Sequence, residues 1–194
     1  TQLIIQGDNN QASATPAFII AHPDGTSAMQ FRTGGIGKNN VFIGNNAGLV
    51  NTTGNSNTAL GAGALDANTT GANNTGIGLN ALTGNTTGAS STALGSYAGS
   101  GNTTGYANSF FSGLTGANAG TYSSSTALGY GAQITASNQF VLGSTTASIT
   151  NAYFGQGVTA ASPAGLTIQS TGGSGTDNAG AGLTIAGGKG TGNA

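Results

Sequence analysis

The side chains capable of acid-base chemistry are few and far apart in the sequence. The chain of 194 residues contains four Asp or Glu and one His. The carboxylates are Asp8, Asp24, Asp66 and Asp177, and the imidazole is His22. Acid-base catalysis and glycoside hydrolysis need such groups close enough to act together. Since Asp24 and Asp66 also lie in segments typical of turns, we expect that the chain is not an enzyme.

Sites for metals, phosphates, nucleic acids and membranes also lack support. There is no Cys, and His22 has no neighbouring Glu or second His, so we interpret it as a residue at a strand end, with an ion shared between copies as the alternative. Neither Lys38 nor Lys189 is followed by the Ser or Thr of a phosphate-binding loop. A net charge of −1 leaves no basic surface for nucleic acid, and no apolar run reaches the ~20 residues of a membrane helix. We expect no cofactor, no nucleic-acid partner and no membrane insertion.

Aromatic side chains form the one candidate binding site. Tyr97, Tyr106, Phe110, Tyr122 and Tyr130 lie within one stretch of the chain. Aromatic rings beside Asn and Thr side chains can stack on the faces of sugars. The alternative interpretation, which we prefer, is that these rings pack between subunits or fill a local irregularity.

The composition predicts strands and turns. Only 4% of the residues are charged, whereas an ordinary soluble domain has about 25%. Gly occupies 37 positions, and Gly, Asn and Thr disfavour helices. Because low-complexity chains of this kind can also stay unfolded, the decision between fold and disorder depends on periodicity.

The middle of the chain repeats every 17 residues, in blocks at 38–54, 55–71, 72–88, 89–105, 106–122 and 123–139. One position of the repeat is always apolar, and we call its members the apolar column: Ile43, Leu60, Ile77, Leu94, Phe111, Leu128 and, after a step of 14 residues, Leu142. Gly follows each member except Phe111, after which Ser112 stands. A second column is small: Ala47, Ala64, Ala81, Ala98 and Ala132. Four blocks end in Asn-Thr-Thr-Gly, beginning at Asn51, Asn68, Asn85 and Asn102.

This periodicity predicts a β-solenoid. Each block would supply a strand of the type Thr-Ala-Leu, a bend at Gly, a second short strand around Ala-Leu and a turn at Asn-Thr-Thr-Gly. Stacked coils would bring the apolar column into van der Waals contact as the structural core, with Asn and Thr ladders outside. A flexible linker has no need of an apolar residue at every seventeenth position. Since one copy buries little apolar surface, we also expect association with further copies, in a homotrimer.

The repeats resemble those of a known class of fibrous proteins. The segments NTALGAGAL, STALGSYAG and STALGYGAQITASNQFVLGS are similar to the head repeats of YadA-type trimeric autotransporter adhesins and, more closely, to repeats in bacteriophage tail fibres. The resemblance covers about residues 38–144 and implies a left-handed parallel β-roll in a homotrimeric fibre. It also implies a place on a virion or an extracellular bacterial surface, and attachment to a host-cell receptor or glycan through a tip outside this chain. The longer period predicts longer outer loops than the family has.

The flanking segments differ from the repeat. Residues 1–37 predict three strands, around Leu3–Ile5, Ala17–Ala21 and Ala28–Phe31, in a module that caps the first coil. Residues 145–194 contain a shorter repeat, in which Gly165-Leu166-Thr167-Ile168 recurs as Gly182-Leu183-Thr184-Ile185. We therefore divide the chain into an N-terminal β-module (1–37), a β-roll (38–144) and a Gly-rich connector (145–194).

Three functions fit this organisation. The first is a structural and adhesive fibre, as a shaft or head segment of a phage tail fibre; the second is the same module in a bacterial surface adhesin. The third is an ice-binding solenoid, suggested by the column Thr58, Thr75, Thr92 and Thr126. Five Asn-x-Ser/Thr triplets, at Asn51, Asn68, Asn73, Asn85 and Asn102, are formal acceptors of N-glycans, and we interpret these Asn residues as parts of turns.

Overall fold

The chain is all-β wherever its structure is described. The computed structural model describes residues 39–146, and it gives the backbone of two strands at 18–21 and 27–32. No helix forms among these residues, and hence none that could cross a membrane. The strands are β1 Phe18–Ala21, β2 Ser27–Arg32, β3 Val41–Ile43, β4 Thr58–Leu60, β5 Thr75–Ile77, β6 Thr92–Leu94, β7 Ser109–Phe111, β8 Gly116–Ala117, β9 Thr126–Leu128, β10 Gln133–Ile134 and β11 Phe140–Leu142.

The repeats stack as a β-solenoid, as their period predicts. Strands β3, β4, β5, β6, β7, β9 and β11 follow one another as parallel neighbours in one sheet. The register equals the repeat, so that Leu60 lies beside Ile77 and Leu128 lies beside Leu142 across the final shorter step. Strands β8 and β10 form a second, two-stranded parallel sheet. Each coil therefore repeats the path of the coil before it.

Two antiparallel strands extend the sheet at its N-terminal end. Strand β1 pairs with β2, and β2 pairs with β3, which agrees with the second and third strands predicted in segment 1–37. The first predicted strand, Leu3–Ile5, lies outside the described residues. So do His22 and the short repeat at 165–185, together with all but the first two residues of the predicted connector 145–194.

The core is formed by the middle residue of each strand, one position before the apolar column. The fully buried apolar side chains on this side are Phe42, Ala59, Ala93, Phe110 and Ala127, and those opposite are Ala47, Ala64, Leu65, Ala81, Leu82, Ala98, Ala132 and Ile134. Successive side chains of a strand point to opposite faces, so the apolar column faces outward, and Leu94 is 50% exposed. Our prediction that Ile43, Leu60, Ile77, Leu94, Phe111, Leu128 and Leu142 form the structural core is wrong for the single chain.

Large side chains on one wall of the interior pack against small residues on the other. Phe42 faces Gly48, where an added Cβ would overlap the ring, and Phe110 faces Gly99, where an added Cβ would lie 2.7 Å from a ring carbon. At Gly76, where the strand supplies no side chain, Leu65 of the opposite wall packs instead. Large and small residues thus alternate between the two walls and keep the interior filled.

The wall opposite the strands is mostly a turn, not the second strand that the repeat predicts. Residues 62–67 form turns, and Leu65 and Leu82 adopt left-handed conformations with φ of 52° and 53°. This conformation aims both side chains inward, where they are fully buried. Only β8 and β10, with two residues each, are extended on this side of the described coils.

Ladders of amide side chains lie inside the solenoid, where we had predicted them outside. Asn51, Asn68, Asn85 and Asn102 are at most 2% exposed. Each of the last three donates through Nδ2 to Oδ1 of the Asn one coil earlier, at 2.8–3.0 Å. An amide carries both donors and an acceptor, so a stack of them satisfies its own polar groups without water.

The Gly after each of the strands β3 to β6 is required by the close approach of the next coil. Gly78 has a φ of 130°, and a Cβ added there would lie 2.5 Å from the carbonyl oxygen of Gly95. Ser112 adopts the same kind of conformation, with a φ of 107°, although it has a side chain. Ser112, the exception in the repeat, is therefore a strained residue in a backbone that follows the same path as in the other coils.

Candidate functional site

The outer face of the sheet carries two columns that the strands place side by side. The first residue of each strand supplies a mostly hydroxylated column, in which Thr58, Thr75 and Thr92 are direct neighbours. The third residue supplies the apolar column. Both face outward because the residue between them faces the core.

The apolar column is the longest uncovered apolar feature of the described coils. Leu60, Leu94, Leu128 and Leu142 are 42–50% exposed, and the members between them are partly buried. The column recurs in every coil and runs along the whole parallel sheet. A contiguous apolar surface of this kind is typical of a protein interface.

The predicted aromatic site is divided by the structure. Phe110 is fully buried in the core, so its inclusion as a binding residue is wrong; as the middle residue of β7 it points inward. Tyr97 and Tyr130 are exposed just after the bends that follow β6 and β9. Tyr106 is exposed before the start of β7, at the opposite end of the strands, while Tyr122 is partly buried and packs against the core. Only Tyr97 and Tyr130 therefore share one region of the surface.

Two residues that the sequence analysis did not select complete this region. Leu79 and Leu114 are 47% and 45% exposed and occupy the same bend as Tyr97 and Tyr130. We call Leu79, Tyr97, Leu114 and Tyr130 the corner patch. The signal that could have found it is a difference between coils, because the first two coils have Asn45, Asn46, Ala62 and Gly63 at these positions.

Backbone hydrogen bonds hold the corner patch in register. The amide of Tyr97 donates to the carbonyl of Leu79 at 2.7 Å, and that of Leu114 donates to Ser96 at 3.0 Å. The Leu114 carbonyl accepts from Nε2 of Gln133 at 3.0 Å. The ring of Tyr130 lies over Gly113, where an added Cβ would be 3.8 Å from it. The patch therefore has a fixed backbone and outward side chains.

The corner patch has no charged neighbour among the described coils. Asp66 is the single Asp or Glu of residues 39–146, which contain no Lys or Arg. Its Oδ1 accepts a hydrogen bond from the hydroxyl of Thr83 at 2.8 Å. No group of three His, Cys, Asp or Glu that could hold a metal occurs in the described part, and Asp8, Asp24 and Asp177 lie outside it. The groups that could contact a ligand here are hydroxyls, amides and apolar surfaces.

An open cleft of about 570 Å³ lies beside the last described coil. Its lining includes Asn118, Gln133, Thr135, Val141 and Leu142. None of the five predicted aromatic residues belongs to this lining. The cleft is thus a feature separate from the aromatic site that the sequence predicts.

No protein-family model, curated protein or solved structure matches the chain. The likeness to phage tail fibres and YadA-type adhesins consequently rests on the quoted repeats alone.

Proposed function

We propose that this chain is a segment of a homotrimeric structural fibre, of the kind that phage tail fibres use to reach a host cell. The observation that carries the proposal is the apolar column, which faces outward and recurs in every coil. A bacterial surface trimeric adhesin built from the same coils is the closest alternative. In both cases the protein acts outside the cytoplasm, on a virion or at a bacterial surface, without catalysis.

The recurrence of the column favours parallel copies of the chain as its cover. Copies aligned along one axis present the same contact at every coil, and this matches a column with one apolar residue per coil. Burying a half-exposed Leu contributes about 1 kcal/mol, so the four half-exposed members contribute about 4 kcal/mol per chain and the three partly buried members add roughly 1 kcal/mol more. That sum is comparable with the whole stability of a small domain.

The number of copies and the hand of the coil come from the resemblance of the repeats. Repeats of this type in phage fibres and YadA-like heads build trimers from left-handed rolls. The receptor-binding tip belongs, on this proposal, to a part of the fibre outside the described coils. The coils themselves supply length and rigidity through stacked strands and buried amide ladders.

Native mass spectrometry of the chain tests the proposal. We expect a mass three times that of the single chain, 18.5 kDa. The double variant Leu60→Thr with Leu94→Thr keeps residues suited to strands but removes apolar surface from the column, and we expect it to lose the trimer. Val50→Thr is the control, since Val50 is 43% exposed and lies outside the column. A wild-type chain that stays monomeric at micromolar concentration contradicts the proposal.

The hydroxylated column supports a second candidate, an ice-binding face. Thr58, Thr75 and Thr92 lie in register on the outer side of a regular parallel sheet. The residues two positions later are apolar, so each strand offers one Thr, not the pair that a Thr-x-Thr face would offer. Thermal hysteresis that is lost in Thr75→Lys and kept in Val50→Thr would favour this function over the fibre.

A further inference from the structure

Two sets among the exposed apolar side chains of the solenoid differ in how they repeat. The apolar column recurs in every coil. The corner patch, in contrast, is limited to four consecutive coils, which contribute Leu79, Tyr97, Leu114 and Tyr130 in turn. The corresponding bends of the first two coils carry Asn45 and Ala62, which are small or polar.

This difference separates the corner patch from the contact that would build a shaft. A contact between parallel copies repeats along the axis with the coil. A ligand occupies a limited length and needs its residues only there. The corner patch is limited to four coils, and its residue type and position change from one coil to the next, which favours a ligand over another copy of the chain.

We propose that the corner patch binds a neutral sugar of a surface glycan. This proposal rests on the fibre proposed above, and it gives the side of that fibre a binding function. Sugars combine apolar ring faces with hydroxyl groups, and flat aromatic rings beside hydroxyls and amides match both. Tyr97 and Tyr130 supply the rings. Since residues 39–146 hold only one charged side chain, Asp66, nothing at the patch compensates a charged ligand.

The polar groups of the site lie between its apolar ones. Ser96 is exposed and occupies the same position of the bend as Leu79 and Gly113, one coil from each. Ser96 thus lies between Leu79 and Tyr130 in the column of residues at this position. Asn80, in the left-handed conformation with a φ of 54°, holds the position that Tyr97 takes in the next coil.

The spacing of the rings suits a ligand of more than one sugar unit. Tyr97 and Tyr130 belong to coils two steps apart, or about 10 Å along the axis at the usual strand spacing. The ring of Tyr130 leans over Gly113 of the intervening coil, which brings it toward Tyr97. Leu114, from that same intervening coil, lies beside them and extends the apolar floor.

Two variants test the proposal with residues that the chain already uses at these positions. Tyr97→Asn copies Asn46 and Asn80, whose φ values of 59° and 54° match the 57° of Tyr97. Tyr130→Ser copies Ser96 and Ser144. The control is Tyr106→Ser, because Tyr106 is also exposed but lies at the other end of the strands, where Ser123 stands one coil later.

The probes are neutral gluco-, galacto- and manno-oligosaccharides, with a uronic-acid oligosaccharide as the charged comparison. Binding is followed through the tyrosine ring signals in NMR titrations of the full chain. We expect a neutral oligosaccharide to shift the Tyr97 and Tyr130 signals, and each variant to weaken binding about tenfold or more, equivalent to roughly 1.4 kcal/mol. Tyr106→Ser should leave the affinity unchanged. The absence of neutral-sugar binding, a preference for the acidic probe, or unchanged binding in both variants would overturn the proposal.

The mass of the wild-type chain and of each variant distinguishes a failure of this proposal from a failure of the proposed fibre. A trimer that binds no sugar removes the corner site and leaves the fibre standing. A monomer whose sugar binding depends on Tyr97 and Tyr130 removes the fibre and leaves the corner site standing. Variants that fall apart into single chains would show that the patch is a subunit contact, and this also overturns the sugar site.

Discussion

The side-chain amide of Asn68 donates to Oδ1 of Asn51, the equivalent residue one coil earlier, at 3.0 Å, and both side chains are buried. The same Nδ2 donates to the carbonyl of Gly71 at 3.0 Å, which also accepts from Nδ2 of Asn57 at 2.8 Å. Each coil is thereby tied to its neighbour by side chains as well as by strands. The polar ladder and the apolar wall together form the interior.

Removal of one rung should destabilise the solenoid. Asn85→Ala leaves Oδ1 of Asn68 without the hydrogen bond it accepts at 2.8 Å, and a buried unsatisfied group costs about 1–3 kcal/mol. We expect a decrease of this size in the free energy of unfolding, measured by urea denaturation. Thr87→Ala, at an exposed residue of the same turn, should change it by less than about 0.5 kcal/mol. Equal effects of the two substitutions would contradict a buried ladder.

The bend after the strand predicts opposite results for two substitutions. Gly78→Ala places a Cβ against the carbonyl of Gly95 at a φ of 130° and should cost about 2 kcal/mol or more. Ser112→Gly relieves a side chain held at a φ of 107°, so the relieved strain of about 1–3 kcal/mol should equal or exceed the entropic cost of a Gly. Thermal unfolding monitored by circular dichroism compares them. A destabilising Ser112→Gly would mean that the Ser side chain is needed there.

The large and the small residue of one coil should be exchangeable between the two walls of the core. Gly48→Leu alone should clash with Phe42, and Phe42→Ala alone should cost about 3–5 kcal/mol through the cavity it leaves. The double variant copies Ala59 and Leu65 of the next coil, and the φ of Gly48, 57°, suits Leu because Leu65 has 52°. We expect it to recover most of the lost stability in a double-mutant cycle. Additive losses would refute the pairing of large with small residues.

The glycan acceptor triplets should differ in whether the folded coil tolerates a sugar. Asn51, Asn68, Asn85 and Asn102 are buried with their amides bonded in the ladder, whereas Asn73 is exposed. In chains secreted by eukaryotic cells, peptide mapping of the folded fraction should find glycans at Asn73 and none at the other four. A folded chain that carries a glycan at Asn85 would contradict this structure.

The corner patch shows how far sequence comparison between coils can reach. Closeness along the chain selected Tyr97 and Tyr130 as aromatic residues of one stretch. It grouped them with Phe110 and Tyr122, since closeness along the chain does not reveal the side of the coil on which a residue lies. Phe110 faces the core and Tyr106 lies at the other end of the strands. Only the path of the backbone separates these residues.

The sequence by itself determined the period, the parallel register and the solenoid, because coils that stack in register must repeat every element, and each repeated residue then meets its own equivalent. It did not determine which side of each strand faces inward. The larger Leu or Ile of each Thr-Ala-Leu strand suggested the core, yet part of the interior is filled from the opposite wall, by Leu65 and Leu82. The tertiary structure therefore placed Ala inside and Leu outside, since the volume between the two walls decides which face of each strand points inward.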